Sequence, residues 1–317
     1  MTKVLLDVDT GTDDAVAIML AALDPKLDLV AVTTVAGNAP VEYCTNNTLR
    51  VLDHIGADVP VYRGAARPLT GTVRRPRPDA GVEAMHGLQL DLPETSSAPQ
   101  DSTAVKCLID TYLGADGPDT VLVPTGPLTN IAHAIAIEPR IVERIPKIVI
   151  MGGAHAVGNV TPSAEFNVWA DPEAAHAVLA SGVADITLVP LDCTHQALVT
   201  ADDLSRLDAL GTPAATAAGK FIARRIRAHD DTQPLAVPHA APVHDAVCVT
   251  SLVSPDVLED TGRYHVDVEL TGELTRGRTV VDTGRRGGQQ PNATVALGGN
   301  AGIFVELLIE TLGRTTG

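Results

Sequence analysis

Short runs of consecutive apolar residues recur along the chain, and each is followed by turn residues and then by apolar positions at helical spacing. Runs of Val, Ile and Leu without polar alternation are typical of strands covered on both faces, so the pattern predicts a mainly parallel sheet with helices on both sides. The predicted strands are Val4–Leu6, Leu29–Val35, Val121–Val123, Ile148–Met151 and Ile186–Val189. The predicted helices are Asp14–Leu23, Val41–Ile55, Thr103–Leu113, Leu128–Ile137, Pro172–Ala180, Ala214–Arg227 and Ile303–Leu312.

Two regions depart from this pattern. Tyr264–Leu270 alternates polar residues with Val and Leu, which predicts a strand with one solvent-facing side at an edge of the sheet. Pro68–Gln100 is rich in Pro, Arg, Gly and Ser and predicts a long surface loop, which in a compact domain is typical of a lid or a binding loop. No repeat or linker separates two cores. We therefore predict one α/β domain over residues 1–317, with a Rossmann-like, mainly parallel open sheet and antiparallel edge strands near the C-terminus.

The composition restricts the partners that the protein can have. Of the 317 residues, 45% are apolar and 20% are charged, which is typical of a folded, enzyme-sized protein. The 39 acidic residues outnumber the 23 Lys and Arg, and the formal net charge of −16 disfavours nucleic acid and anionic membranes as partners. The apolar run Ala15–Leu23 is too short to cross a bilayer, so neither a secretory signal nor a membrane span is expected. Four separated cysteines without a CxxC pair indicate reduced thiols in a cytoplasmic protein.

Acidic side chains crowd the end of the first predicted strand, at the edge where open parallel sheets bind their ligands. Four aspartates fall within eight residues: Asp7, Asp9, Asp13 and Asp14. Helix capping would explain one of them, but four carboxylates repel one another unless a positive charge lies between them. A hard divalent cation held by oxygen atoms explains the cluster.

Two other interpretations of this segment fit it less well. An aspartyl-phosphate phosphatase begins with a strand followed by DxDx[TV], and the chain follows that motif from Asp7 to Thr10 before Gly11 replaces the required Thr or Val. An EF-hand loop would need an acid at position 11 and Gly at position 12, where the chain has Gly11 and Thr12. The phosphatase match is therefore weak, and the EF-hand interpretation fails.

A second polar cluster lies between residues 159 and 173. Asp171 followed by Pro172 predicts a helix N-cap and a structural role. Asn159, Glu165 and Asn167 have no such predicted role. Amides and a carboxylate can each address a separate hydroxyl, so these three side chains favour a polyhydroxylated ligand.

A third cluster precedes an apolar helix. His244 and Asp245 stand together at its predicted start. Asp245 is another oxygen ligand, and His244 is a titratable group suited to protonating a leaving nitrogen. Six further histidines, at positions 54, 133, 155, 176, 195 and 265, show no metal-ligand spacing, and we interpret them as surface or packed residues. Trp169 is likewise expected to pack rather than to stack on a ligand.

The residues named so far resemble those of a known family. Asp7–Ala15 resembles the N-terminal DxDPGxDDA signature of the inosine-uridine nucleoside hydrolases, with Thr10 in place of the common proline. Further segments resemble family blocks in family order: residues 33–38, 124–130, 151–153, 165–167, 171–175, 243–245 and 268–272. This resemblance implies a calcium-dependent hydrolase that cleaves the N-glycosidic bond of a small-molecule ribonucleoside, giving ribose and free base. By resemblance alone, it also implies a homo-oligomer, either a dimer or a tetramer.

The resemblance assigns roles to individual residues. The Ca²⁺ ligands match Asp9, Asp14, the carbonyl of Thr125 and Asp245; Asp9 also matches the general base, and His244 the acid that protonates the leaving base. The ribose-binding groups match Asp13, Asn38, Asn159, Glu165 and Asn167, with Met151 near the sugar. Ca²⁺ accepts six to eight oxygen ligands, so about four protein groups leave room for a water and two ribose hydroxyls.

The chain departs from the family where the base would bind. Relatives often carry HGxxG in the long loop, whereas residues 85–89 keep His86 and the glycine after it but lack the second glycine. Between Arg227 and Val243, where some relatives place Tyr and Arg against a purine, the chain has His229, Asp230, Gln233 and His239. With 3% aromatic residues, the base would stack only on Phe166 and nearby histidines. The choice between purines and pyrimidines stays open.

Two alternatives keep the same fold. One is a hydrolase of a related riboside, such as a nicotinamide or modified-base riboside. The other is a nucleoside-binding protein without catalysis, in which the carboxylates Asp9, Asp14 and Asp245 would be costly and unsupported.

Overall fold

A central sheet of eight strands organises the computed structural model, which describes residues 1–71 and 88–316. In chain order, the strands of the described residues are β1 (Thr2–Val8), β2 (Leu27–Thr34), β3 (Val61–Arg63), β4 (Thr120–Pro124), β5 (Ile148–Met151), β6 (Ile186–Val189), β7 (Leu198–Thr200), β8 (Ala240–Pro242), β9 (Leu258–Tyr264), β10 (Val266–Val268), β11 (Thr279–Val281) and β12 (Ala293–Gly299). The sheet order is β3-β2-β1-β4-β5-β6-β12-β9. All neighbours in it pair in parallel except β12 and β9. This mainly parallel α/β fold with an antiparallel edge strand confirms the predicted class.

Helices cover both faces of the sheet. Those of the described residues are α1 (Thr12–Leu23), α2 (Val41–Ile55), α3 (Ala104–Leu113), α4 (Thr129–Ile137), α5 (Phe166–Ala170), α6 (Pro172–Leu179), α7 (Leu191–Thr194), α8 (Ala201–Asp208), α9 (Pro213–Thr232), α10 (His244–Val253) and α11 (Ala301–Leu312). None of them combines the length and apolarity that a membrane-spanning helix needs. All four cysteines are buried and free of disulfides.

The strand β1 shows why the apolar runs are continuous. Val4, Leu6 and Val8 belong to one apolar cluster, which includes residues of α1 and α11, whereas Leu5 belongs to a second cluster on the opposite face. Each face of the strand is therefore covered, and alternation between polar and apolar residues would leave polar groups buried.

The chain direction across the sheet reverses between β1 and β4. From β1, the strands continue through β2 to β3 on one side and through β4 to β6 on the other. The loops that leave β1 and β4 therefore diverge and open a crevice at the carboxyl ends of the strands, where open α/β sheets bind their ligands.

The C-terminal prediction was wrong in detail. Tyr264–Leu270 is not a single edge strand. Tyr264 ends the edge strand β9, where it pairs with Ala293, whereas Val266–Val268 pairs with Thr279–Val281 in a separate two-stranded sheet. Tyr264 is partly exposed, whereas Val266 and Val268 are buried, so the alternation in sequence does not reveal that two strands meet here. The sequence analysis also missed β12, whose Ala and Gly residues weaken the apolar signal.

The predicted long loop Pro68–Gln100 lies partly outside the described residues. Its described parts, 68–71 and 88–100, contain no helix or strand. Leu90 is nevertheless buried, and its backbone is held by Asn47 Oδ1 at 3.1 Å and by Arg50 Nη1 at 3.2 Å.

Candidate functional site

Four aspartates meet at the crevice between β1 and β4, and we call Asp9, Asp13, Asp14 and Asp245 the acidic rim. Asp9 directly follows β1, Asp13 and Asp14 lie in the first turn of α1, and Asp245 lies in the first turn of α10. All four are at most 4% exposed. Two distant segments, residues 9–14 and the start of α10, thus bring carboxylates to one place.

The loop after β4 closes the other side of the crevice. The Thr125 hydroxyl donates to Asp14 Oδ1 at 2.8 Å, and the Thr125 amide donates to the Asp7 carbonyl at 2.8 Å. These bonds tie the loop after β4 to the end of β1 and to the start of α1.

Three rim carboxylates lie at a spacing suited to a metal. One oxygen from each of Asp13, Asp14 and Asp245 lies within 4.8 Å of the others. This group contains two of the predicted ligands, and Asp13 takes the place in it that the resemblance gave to Asp9. The Asp9 Oδ2 atom accepts from the Asn38 amide at 2.6 Å, while its Oδ1 atom is buried and has no hydrogen-bond partner among the described residues.

The acidic rim is electrostatically strained without a cation. Burial, and then repulsion by Asp13, raises the pKa of Asp14 to about 7. Burial, followed by the charge of Asp14, raises the pKa of Asp9 well above its ordinary value, and burial with the charges of the other rim aspartates does the same for Asp245. A bound dication would reverse these effects, because it favours the charged form of every carboxylate.

Two glycines, Gly37 and Gly126, leave room for Asp9 between the loops that pack against it. A Cβ atom added at Gly37 would overlap Asp9 Oδ2, and one added at Gly126 would lie 3.0 Å from the Asp9 backbone nitrogen. The loops after β2 and β4 can therefore approach the Asp9 side chain this closely only because both positions lack a side chain.

Amide and carboxylate groups form the wall beside the acidic rim. Asn167 Nδ2 donates to the Thr125 carbonyl at 2.7 Å and to the Met151 carbonyl at 3.3 Å. Both of its N–H groups are thereby engaged, and its carbonyl oxygen is the group left to accept from a ligand. Asn38 Nδ2 lies 3.4 Å from Asp14 Oδ2.

Glu165 has a structural role that the sequence analysis missed. It is the N-cap of α5, where Oε1 accepts from the Asn167 amide at 2.8 Å and Oε2 accepts from the Val168 amide at 3.2 Å. Oε2 also accepts from the Gly153 amide at 2.8 Å. Burial raises the pKa of Glu165 to about 7. The expectation that Glu165 has no capping role was therefore wrong, although its side chain still lines the pocket.

One pocket gathers most of the predicted site residues. Its lining residues are Asp13, Asn38, Thr125, Met151, Asn159, Val160, Glu165, Phe166, Asn167, Arg225, Gln233, His244 and Asp245. Asp9 and Asp14 are not among these lining residues, but they contact Asn38 and Thr125, which are. His86 lies outside the described residues.

His244 lines the pocket and precedes Asp245 at the start of α10. Its Nδ1 atom lies 2.7 Å from the Thr194 hydroxyl, and its ring centroid is 5.6 Å from that of His195. Asn159 Oδ1 accepts from the Phe166 amide at 3.0 Å, and Gln233 Nε2 donates to the Asn159 carbonyl at 3.3 Å. Asn159, Gln233 and Phe166 line the same pocket as the rim residues Asp13 and Asp245.

Sequence reasoning missed three residues at the site: Thr194 and His195, which contact His244, and Arg225, which pairs with Asp13. A signal for Arg225 exists, because it falls on the buried stripe of α9, four residues after Phe221 and four before His229. Arginine at such a core position requires a buried partner.

Two predicted structural roles agree with the contacts. Asp171 caps α6 by accepting from the Ala174 amide at 3.1 Å, and it also accepts from the Thr129 hydroxyl at 2.5 Å. Trp169 packs against Phe166, with ring centroids 6.4 Å apart. Neither residue lines the pocket.

Known proteins share this fold along nearly the whole chain. Residues 4–306 match the model of a family described as inosine-uridine preferring nucleoside hydrolase. The chain is 39% identical to the pyrimidine-specific ribonucleoside hydrolase RihA of Escherichia coli O81 (strain ED1a), over 98% of this chain and 97% of that protein. It is 40% identical to the pyrimidine-specific ribonucleoside hydrolase RihB of Escherichia coli (strain SE11), over 88% and 87%. A purine-preferring ribonucleoside hydrolase from Gardnerella vaginalis superposes with a TM-score of 0.89 at 32% identity and covers 98% of both chains.

Proposed function

The chain belongs to the inosine-uridine preferring nucleoside hydrolase family, and we propose that it hydrolyses pyrimidine ribonucleosides with a Ca²⁺ ion held at the acidic rim. Its relatives are ribonucleoside hydrolases, so the protein is a glycosylase-type hydrolase whose substrate is a small-molecule ribonucleoside. The resemblance stated from the sequence is thereby confirmed. The observation that carries the proposal is the meeting of buried carboxylates and sugar-binding groups at one crevice of the parallel sheet.

The residues at the rim fit a calcium ion. The donors are all oxygen atoms, which is the ligand type that Ca²⁺ prefers. The buried Asp9 Oδ1 atom has no hydrogen-bond partner among the described residues, as expected for an atom that faces a cation or a water. Asp9, Asp14, Asp245 and the Thr125 carbonyl would hold the ion. Once bound, Ca²⁺ would acidify a water molecule and orient vicinal hydroxyls of the ribose.

Asp9 is the general base in this mechanism. It follows β1 directly, and its Oδ2 atom is fixed by the Asn38 amide, so Oδ1 is free to take a proton from the attacking water. The water oxygen forms a bond to the anomeric carbon while the bond from that carbon to the base nitrogen breaks. The positive charge that develops on the sugar is stabilised by the surrounding carboxylates.

His244 is the proposed acid for the leaving base. It donates a proton to the base as the glycosidic bond breaks, so that the base leaves as a neutral molecule. The Thr194 hydroxyl at Nδ1 orients the ring, and His195 packs beside it. Nε2 is then the ring atom that faces the leaving group.

The ribose is held by the wall next to the acidic rim. Asp13, Asn38, Asn159, Glu165 and Asn167 each present an oxygen or amide group at or beside the pocket, with Met151 against the sugar. Asn167 is the best defined of them, because its two N–H groups are engaged and its carbonyl oxygen is directed by those bonds.

The base side favours pyrimidines. Phe166 is the one Phe, Tyr or Trp among the described lining residues, so a purine would find little stacking surface. Gln233 and His244 offer hydrogen bonds that suit the carbonyl and N–H edge of a pyrimidine. The two Escherichia coli relatives at 39% and 40% identity are named as pyrimidine-specific.

A substrate panel tests the proposal directly. Metal-stripped protein is assayed for released ribose from uridine, cytidine, inosine and guanosine, with and without added Ca²⁺. We expect release that requires Ca²⁺ and is faster from uridine and cytidine. Absence of ribose from every ribonucleoside would refute the function, whereas faster release from the purine nucleosides would refute only the base preference.

Three further expectations complete the proposal. We propose that residues 1–317 form one domain, that the protein acts in the cytoplasm, and that it assembles as a dimer or tetramer. Sedimentation of the purified protein would measure the last of these.

A further inference from the structure

Arg225 is the largest fully buried side chain of the described residues, and it lies at the acidic rim. It is 1% exposed, lines the pocket and comes from the middle of α9. Among the ion pairs of the described residues, only the one between Arg225 and Asp13 includes a rim carboxylate. A buried guanidinium beside a proposed cation site would oppose cation binding, so its position calls for a physical reason.

Three contacts fix the guanidinium in place. Nη1 lies 3.1 Å from Asp13 Oδ2 and 3.4 Å from the Thr12 hydroxyl. Nε donates to the Pro242 carbonyl at 2.9 Å. Arg225 therefore ties α9 to the first turn of α1 and to the end of β8, two residues before His244. A side chain held at both ends of its guanidinium can position the carboxylate that it contacts.

The ion pair distinguishes Asp13 from the other carboxylates of the rim. Asp13, Asp14 and Asp245 all offer an oxygen within ligand distance of one another. Asp14 is held by neutral donors, namely the Gly11 amide at 2.9 Å and the Thr125 hydroxyl at 2.8 Å. Asp13 instead faces a permanent cation. Attraction to that cation competes with coordination of a metal, because both need the same carboxylate charge.

The following inference rests on the proposed function. We propose that Arg225 is a positioning residue that orients Asp13 toward the ribose. The ion pair holds the Asp13 carboxylate against the pocket wall and keeps it out of the metal's coordination shell. Asp14 and Asp245, with Asp9 and the Thr125 carbonyl, are then left to hold the cation. Asp13, held in its charged form by Arg225, then accepts from a sugar hydroxyl.

This arrangement predicts that loss of Arg225 weakens binding of the nucleoside and strengthens binding of Ca²⁺. In Arg225→Met, Asp13 loses its fixed position, so the KM for uridine should rise about 10-fold to 100-fold, the range of one charge-assisted hydrogen bond. The kcat should change less, because the contact is present before and during the reaction. The same variant removes a positive charge and frees a carboxylate near the cation, so Ca²⁺ should bind about tenfold more tightly.

The experiment combines calorimetric Ca²⁺ titration of the metal-stripped full-length protein with steady-state kinetics on uridine. The variants are R225M, R225K, D13N and the double variant R225M/D13N. Arg227→Met is the matched control, because Arg227 is an exposed arginine on the same helix. We expect R227M to match wild type in both assays and R225K to lie between wild type and R225M. The KM of the double variant R225M/D13N should exceed that of D13N by less than about threefold, because the two residues act as a unit.

The outcomes separate the proposal from simpler explanations. If R225M weakens Ca²⁺ binding together with activity, Arg225 only maintains the structure of the site and the proposal is overturned. Additive KM effects of R225M and D13N would also overturn it. If R225M does not fold, R225K and D13N test the same point, because R225K should then raise KM and tighten Ca²⁺ binding to a smaller degree. If wild type releases no ribose from any ribonucleoside, the proposed function fails, but the Ca²⁺ titration still decides whether Arg225 withholds Asp13 from the cation.

Discussion

The pocket has two sides that are built in different ways. The sugar side consists of Asp9, Asn38, Thr125, Asn167 and their neighbours, which lie at the ends of strands and in the first turns of helices. Asp9 and Asn167 are fixed by hydrogen bonds to the backbone of another segment, and the side chains of Asn38 and Thr125 contact Asp14. The base side consists of Phe166, Gln233 and His244, which come from the short helix α5, the end of α9 and the start of α10.

This difference affects how substitutions act on the reaction rate and on the choice of base. The ends of parallel strands are held in place by the pairing of the sheet, so the sugar side can keep its geometry while the sequence around it changes. The end of a helix is less constrained, and Gln233 belongs to the segment where the chain departs most from the family pattern. Substitutions on the sugar side should therefore lower the rate for every nucleoside, and so should loss of the proposed acid His244. Changes at Phe166 and Gln233 should instead change the ratio between nucleosides.

The largest effect is expected at Asp9. Asp9→Asn removes the proton acceptor, so kcat should fall about 10³-fold to 10⁴-fold for uridine and inosine alike. Released ribose measures the rate. Asp7→Asn is the matched control, because Asp7 lies in β1 two residues before Asp9 and is equally buried, but its side chain bonds to Thr33 and Asn130 and does not line the pocket. It should retain activity within about threefold. Equal losses in the two variants would contradict the role of Asp9.

A smaller loss is expected at Asn167. Asn167→Ala removes the acceptor directed at the sugar, and kcat/KM should fall about 10-fold to 100-fold, as for one buried hydrogen bond. The ratio of kcat/KM between uridine and inosine should stay constant. A changed ratio would place Asn167 on the base side and would break the division between the two sides.

On the base side, Gln233→Ala should change the ratio instead. We expect kcat/KM for uridine to fall up to about tenfold relative to inosine, because a single hydrogen bond to the base is lost. Competition assays with both nucleosides in one reaction measure this ratio directly. A uniform loss for both nucleosides would assign Gln233 to support of the pocket rather than to recognition of the base.

The smallest effect concerns stability and pH. In the metal-free protein, the pKa of Asp14 and that of Glu165 are both raised to about 7 by burial, so the folded state binds protons more tightly than the unfolded chain. Their contribution to stability is complete below the ordinary carboxyl pKa and is lost as the pH rises through 7. His229, whose pKa is lowered to about 4 by burial, acts in the opposite direction but only below pH about 6.5.

The direction in which the Tm changes with pH can therefore be predicted for the protein in a chelator. The Tm should fall by a few degrees between pH 6.5 and pH 8, and added Ca²⁺ should restore it most strongly at pH 8, where the carboxylates are charged. The D9N variant in chelator is the control, because it lowers the negative charge of the rim and should show a smaller fall. A Tm that rises with pH in the chelator would contradict the carboxylate shifts.

The sequence by itself determined the fold class and the acidic start of the site. Uninterrupted runs such as Ile148–Met151 report burial on both faces, and burial on both faces occurs in parallel sheets covered by helices. Three of the four aspartates that the sequence placed after the first strand, Asp9, Asp13 and Asp14, belong to the acidic rim, whereas Asp7 lies within β1. The N-cap at Asp171 was also predictable, because capping depends on neighbouring residues only.

Only the tertiary structure decided which groups meet. Arg225 and Asp13 are more than 200 residues apart in sequence, and no local pattern links them. The alternation in Tyr264–Leu270 reports one buried face but not which strand covers it, so the split between β9 and β10 could not be predicted. The periodicity of a sequence shows whether a face is buried, whereas the packing of distant elements determines what covers that face. The different roles of the rim carboxylates depend on the same packing.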